Sequence, residues 1–130
     1  GAVLRAAYAA LGRWIASRTR PPASPRIATS ATGEILTDGD GNARGGIRTP
    51  AVDAPTATII GKGSPASVFC SLFGQQIPFS AARLAERYTD HAAYVAAVTR
   101  SADAAVTAGF LLGPERDEIV DAAERAKVPA

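Results

Sequence analysis

Residues 45–80 read GGIRTPAVDAPTATIIGKGSPASVFCSLFGQQIPFS, and the fold class turns on this stretch. It is apolar enough to be buried, yet Pro50, Pro55, Pro65 and Pro78 interrupt it and Gly45, Gly46, Gly61, Gly63 and Gly74 loosen it. Proline removes a backbone donor, clashes inside a helix, and is confined to edges and bulges in a sheet. The stretch therefore predicts neither a long helix nor an unbroken strand. A buried irregular segment needs a surface to lie against. The flanking helices are expected to supply part of it, and a body outside this chain the rest.

On the N-terminal side, Val3 to Arg18 predict a helix within residues 1–20. Leu4, Tyr8, Leu11 and Ile15 recur at helical spacing with Trp14 beside them, which makes this stripe the expected buried face. Pro21 and Pro22 stop the helix, and Pro21 to Ala31 predict an extended connector. Gly33 to Thr37 and Ala43 to Arg48 flank Asp38-Gly39-Asp40-Gly41-Asn42, whose Asp-Gly chemistry predicts a hairpin turn, so residues 21–44 form connector and turn. Asp38, Asp40 and Asn42 alternate as calcium-loop ligands do. Ala43, however, stands where such a loop requires glycine and Thr49 where it requires a bidentate glutamate, so a solvated turn without metal is expected.

Within and beyond the central stretch, Thr56 to Ile60 is the most strand-like run, ended by Gly61. Gly61-Lys62-Gly63-Ser64 invites a phosphate-loop reading but lacks the Ser or Thr after lysine and has Thr56 in place of the earlier glycine, so a turn with an exposed lysine is expected. Val68 to Phe73 and Ile77 to Phe79 are short apolar runs. Ser80 predicts the cap of a short helix to Tyr88. Thr89 or Asp90 caps a longer one reaching about Ala108, with Tyr94, Val95, Val98, Ala102, Ala105 and Val106 on its apolar face, and Gly109 stops it. Gly113-Pro114 opens a last helix with Glu115, Asp117 and Glu118 in its first turn and Ile119, Val120 and Ala123 as its buried stripe. Residues 81–130 thus predict a helical region ending in an αα-hairpin. The expected fold is mainly α, with a small β component of one hairpin or short strands and a long irregular centre over 45–80.

The 130 residues suffice for one domain, but much of the 47% apolar fraction is alanine and only eight residues are aromatic, so the core is expected to be thin. The chain has no methionine, as expected of a fragment or of a protein that lost its initiator before Gly1. No apolar run reaches the ~18 residues of a membrane span, and GAVLRAAYAALGRWIASR lacks a secretory signal pattern, so no membrane partner is expected. The single Cys70 excludes an internal disulfide. Residues 1–33 hold five arginines and no acid, while residues 101–130 hold six acids and three bases. Such ends attract each other or face different partners. The arginines lack the clustering and aromatic interleaving of a nucleic-acid surface, and no nucleic acid is expected.

Candidate chemistry is sparse. His91, the only histidine, falls on the apolar stripe in the first turn of its helix, where a structural role is expected. No serine stands in a G-x-S-x-G turn; Ser64 comes nearest, with Lys62 and Ala66 in place of the glycines. Cys70, within VFCSLF, is expected to fill core. Arg48 and Asp53 are expected to form a local ion pair or to hydrogen-bond irregular backbone. The assignment is therefore no catalytic residue, no metal ligand, no cofactor and no identified substrate-binding residue on this chain.

Taken in order, LGRWIASRTRPP, DGDGNARGGIRTPAVDAPTATIIGKG, LFGQQIPF and ERYTDHAAYVAAV resemble the C-terminal part of a family of bacterial α/β-hydrolase domain-containing proteins. The segments after the proline pair and between IPF and ERY are shorter here than in that family. The resemblance implies an ester or acyl hydrolase acting through a serine nucleophile, an acyl-enzyme and an oxyanion hole. It also implies that the nucleophile elbow, acid and histidine lie upstream of Gly1. On this reading the chain is a C-terminal segment that packs on the catalytic body, inactive alone, whose partner is the remainder of the parent chain. The alternative is a non-enzymatic helical module that binds another protein.

Overall fold

The computed structural model describes residues 1–61 and 72–129. Helix α1, Ala2–Ser17, ends where Arg18 turns left-handed (φ 59°) and donates its amide to the Trp14 carbonyl. Its orientation corrects the expected one. Leu4, Tyr8, Leu11, Trp14 and Ile15 are 43–71% exposed, whereas Ala6 and Ala10 are buried. Small side chains allow close approach: Val3, Ala7 and Ala10 share a small cavity wall with Pro21, Pro22 and Phe110. Arg5, off the apolar stripe, pairs with the buried Glu115 and so fixes which face turns inward.

Residues 26–46 form a meander. Ile27 pairs with Gly45, Thr29 with Ile35 and Thr37 with Ala43, all antiparallel. The Ala28 amide donates to Arg44, Arg44 to Leu36, and Leu36 back to Ala28, each at 2.9 Å, so three extended pieces close a ring of hydrogen bonds. The expected hairpin is present as the Thr37–Ala43 pair. The expected connector contributes Ile27 and Thr29 to the ring. Gly45 lies at φ 75°, and a side chain there would run into the Arg26 carbonyl, so the ring closes only over glycine.

Pro50 and Pro78 of the central stretch stand at positions that need no amide donor. Pro50 opens the single turn α2, Pro50–Asp53. Strand β1, Ala57–Ile60, pairs antiparallel with β2, Gln75–Pro78, in the register Ala57 opposite Pro78 to Ile60 opposite Gln75. The other edge of β1 is covered by a single side chain: Asn42, fully buried, donates from Nδ2 to the Ala57 carbonyl (3.3 Å) and accepts the Ile59 amide at Oδ1 (2.7 Å). The turn that carries Asn42 is thereby bonded to the sheet, and Thr58 Oγ1 adds a bond to the Asp40 carbonyl (2.6 Å).

Three further helices follow among the described residues. Helix α3, Ala81–Arg87, is capped by Ser80, which accepts the Arg83 amide. Helix α4, His91–Thr107, is capped by Asp90, which accepts the Ala93 amide at 2.7 Å. It ends with Gly109 at φ 80°, the Gly109 amide on the Val106 carbonyl and the Phe110 amide on the Ala105 carbonyl, both 2.9 Å, which is the Schellman pattern. Helix α5, Gly113–Arg125, returns along α4: Arg116 bonds Asp103 at one end, and His91 meets the Glu124 and Val128 carbonyls at the other. Ala54, Tyr88, Tyr94, Val98 and Ala123 form the buried cluster, with the Tyr88 and Tyr94 rings edge to face at 5.0 Å. The chain is mainly α with a small two-stranded sheet.

The Asn42 contact yields a direct test. Asn42→Ala leaves the Ala57 carbonyl and the Ile59 amide without partners, and is expected to lower the unfolding free energy by about 2–3 kcal/mol in urea titrations.

Candidate functional site

The packing of α1, α2, β1, α4 and α5 leaves a cavity of about 500 Å³. Val3 and Leu4 come from α1, Pro50, Ala51 and Ala54 from α2 and its cap, Ala57 and Ile59 from β1, Tyr94 and Val98 from α4, and Ile119, Ala122 and Ala123 from α5. Leu111 closes it from the α4–α5 connection, and Thr49, Thr56 and Gln76 add the polar side chains. Among the described residues no charged side chain and no histidine lines it. The space exists because alanine supplies much of the wall; leucine at the same points would fill it. Burial raises the Tyr94 phenol above its ordinary range and does the same, more than Arg87 offsets, for Tyr88, so both rings stay protonated at neutral pH. Tyr88 donates its hydroxyl to the Pro55 carbonyl at 3.0 Å.

The acidic turn at residues 38–42 is committed internally. Asp38 Oδ1 accepts the amides of Asp40 and Asn42, each at 3.0 Å. The carboxylate of Asp40, 8% exposed, takes Arg83 on one oxygen and Arg87 on the other. Hydrogen bonding to Asp40 and then Glu86 raises the Arg83 guanidinium further above its already high range. The expected solvated turn is therefore an ion-paired one, with helix α3 clamped onto it. Among the described residues no group of three His, Cys, Asp or Glu is placed to hold a metal ion.

Arg48 and Asp53 form the expected local pair. Arg48 Nε reaches Asp53 Oδ1 at 2.7 Å, while its other nitrogens donate to the Ala43 (2.9 Å) and Val52 (3.1 Å) carbonyls. The second Asp53 oxygen accepts the Ser101 hydroxyl at 3.1 Å. A serine beside a carboxylate is two parts of a triad, but the third is elsewhere. Both ring nitrogens of His91 face backbone carbonyls, Val128 at 3.0 Å and Glu124 at 3.1 Å, so the imidazole ties the C-terminal end of α5 to the start of α4. Among the described residues no serine hydroxyl is bonded to His91, whose two nitrogens are both taken by carbonyls. Lys62, Ser64 and Cys70 lie outside the described residues.

Sequence reasoning missed the two roles in the turn and the burial of Glu115. Asn42 and Asp40 looked like turn formers, and only the alternation of acids marked them. Glu115 looked like an acid placed for the helix dipole, yet it is 6% exposed, and its Oε2 has no hydrogen-bond partner.

A family model described as an alpha/beta hydrolase domain matches residues 1–121. No curated protein and no solved structure gives a match.

The Arg5–Glu115 pair carries a pH dependence. Hydrogen bonding from Arg5 holds the Glu115 carboxyl below its ordinary 4.5, so its contribution to stability is present above that value and is lost as pH falls through the lowered one. Melting temperature is expected to drop on acidification from about pH 5 towards pH 3, and Glu115→Gln to flatten that drop. Thermal melts of both proteins across this range check it.

Proposed function

The chain belongs to the alpha/beta hydrolase domain family, and from that membership we propose that it is the C-terminal segment of an esterase or acyl hydrolase, packing on the catalytic body and inactive alone. The observation that carries this reading is the outward face of α1. Leu4, Tyr8, Leu11, Trp14 and Ile15 place a continuous apolar stripe in solvent, larger than isolated exposed residues would make and typical of a surface that meets protein. Among the described residues Arg18 and Arg20, just beyond the C-terminal end of α1, form no ion pair, which suits a partner surface carrying carboxylates. Ring-bonded backbone over residues 26–46 and the clamped turn give the segment a fixed shape to present.

The chemistry would be acyl transfer to a serine supplied by the catalytic body, with backbone donors stabilising the oxyanion. This chain's part is structural: it covers the body with α1 and offers the apolar cavity beside it. The engagement of His91 with two carbonyls and of Ser101 with Asp53 supports a non-catalytic role for both. A second reading, a non-enzymatic helical module docking on another protein, draws on the same stripe.

The coding region upstream of Gly1 separates the two. It is expected to encode alternating strands and helices with a G-x-S-x-G turn, and the longer product to hydrolyse a p-nitrophenyl ester that the 130-residue chain leaves untouched. Within the longer product, Tyr8→Glu with Leu11→Glu is expected to cut turnover at least about tenfold by lifting α1 from its seat. An upstream region without the elbow would leave the interaction module as the better account.

A further inference from the structure

We infer that the cavity is a binding site for an unbranched aliphatic acyl chain, its polar end held at the mouth. The site itself stands on the geometry of this chain; that the acyl chain belongs to the ester being cleaved rests on the hydrolase reading above. At about 500 Å³ the cavity falls within the range of small-molecule sites. Its most buried wall is apolar throughout: Ala54, Ala57, Val98, Leu111 and Ala123 are each under 5% exposed. Apolar surface of this kind gains by taking hydrocarbon out of water. Besides the Tyr94 phenol, the polar side chains are Thr49, Thr56 and Gln76, none of these three buried, so they sit where an ester or carboxylate would meet solvent. Among the described residues no charged side chain lines the wall, so the head of the ligand is placed at this polar rim. Tyr94 is the one aromatic ring in the wall and already stacks edge to face on Tyr88, which leaves the remaining aliphatic surface suited to a flexible chain over a flat ring.

Two lining residues, Ala51 and Ala122, are exposed and mark the mouth. Replacing either by leucine narrows the entrance without disturbing the buried cluster, and leucine at Ala122 keeps good helix propensity.

The test titrates the full 130-residue chain with hexanoate, octanoate and decanoate below their micellar concentrations, following backbone amide NMR shifts. Saturable shifts are expected at Ala54, Val98 and Ala123, with affinity rising about fourfold per added methylene until the cavity is filled. Ala122→Leu and Ala51→Leu are expected to weaken decanoate binding at least about tenfold, with the rest of the spectrum retained. Absence of saturation, indifference to chain length, or equal binding by both variants would overturn the inference. In the longer protein, ester hydrolysis whose chain-length preference is untouched by Ala122→Leu would overturn it while leaving the hydrolase reading intact. Decanoate binding that the variants abolish, in a protein without esterase activity, would do the reverse.

Discussion

One buried amide side chain holds the two halves of this structure in register. Asn42 satisfies an N–H and a C=O on the free edge of β1, standing in for a neighbouring strand with a single residue. Buried backbone groups must be paired, and a two-stranded sheet with an uncovered inner edge would otherwise lose more than it gains. The placement of Asn42 depends in turn on the Asp38 carboxylate, which folds the preceding turn around its own oxygen. From the same turn Asp40 reaches out to Arg83 and Arg87, so the meander, the sheet and helix α3 converge on five consecutive residues.

Those contacts explain how a chain with little bulky hydrocarbon keeps a defined shape. The buried cluster contains two tyrosines, one valine and two alanines. Area burial of this size contributes modestly, and hydrogen bonds to irregular backbone supply the specificity: Tyr88 to Pro55, Arg48 to Ala43 and Val52, His91 to Val128 and Glu124. The prolines fit the same logic. Pro50 begins a helical turn and Pro78 lies on the outer strand, positions that need no amide donor.

What was legible in the sequence was local. Ser80 and Asp90 cap their helices, Gly109 ends α4 in a left-handed turn, and Thr56 to Ile60 contains β1, because capping, φ preference and β-branching act over a few residues. The family resemblance was legible too, through motifs spread along most of the chain, and the family model spans residues 1–121. What was not legible depended on distant partners. Periodicity on α1 correctly found an apolar stripe, but a stripe says only that something covers it. The inward face was decided by an arginine whose partner lies 110 residues away and by alanines small enough to approach Pro22 and Phe110. The cavity was equally invisible, since it arises from the absence of side-chain volume on five separate elements.

The thin seat of α1 has a dynamic corollary. A helix held by two buried alanines and an ion pair to Glu115 has little to lose on detaching, so its amides should exchange with deuterium through a partial opening well below the global unfolding energy. Val3 and Leu4 belong both to that helix and to the wall of the apolar cavity. Opening of α1 and access to the cavity are therefore two readouts of a single local equilibrium.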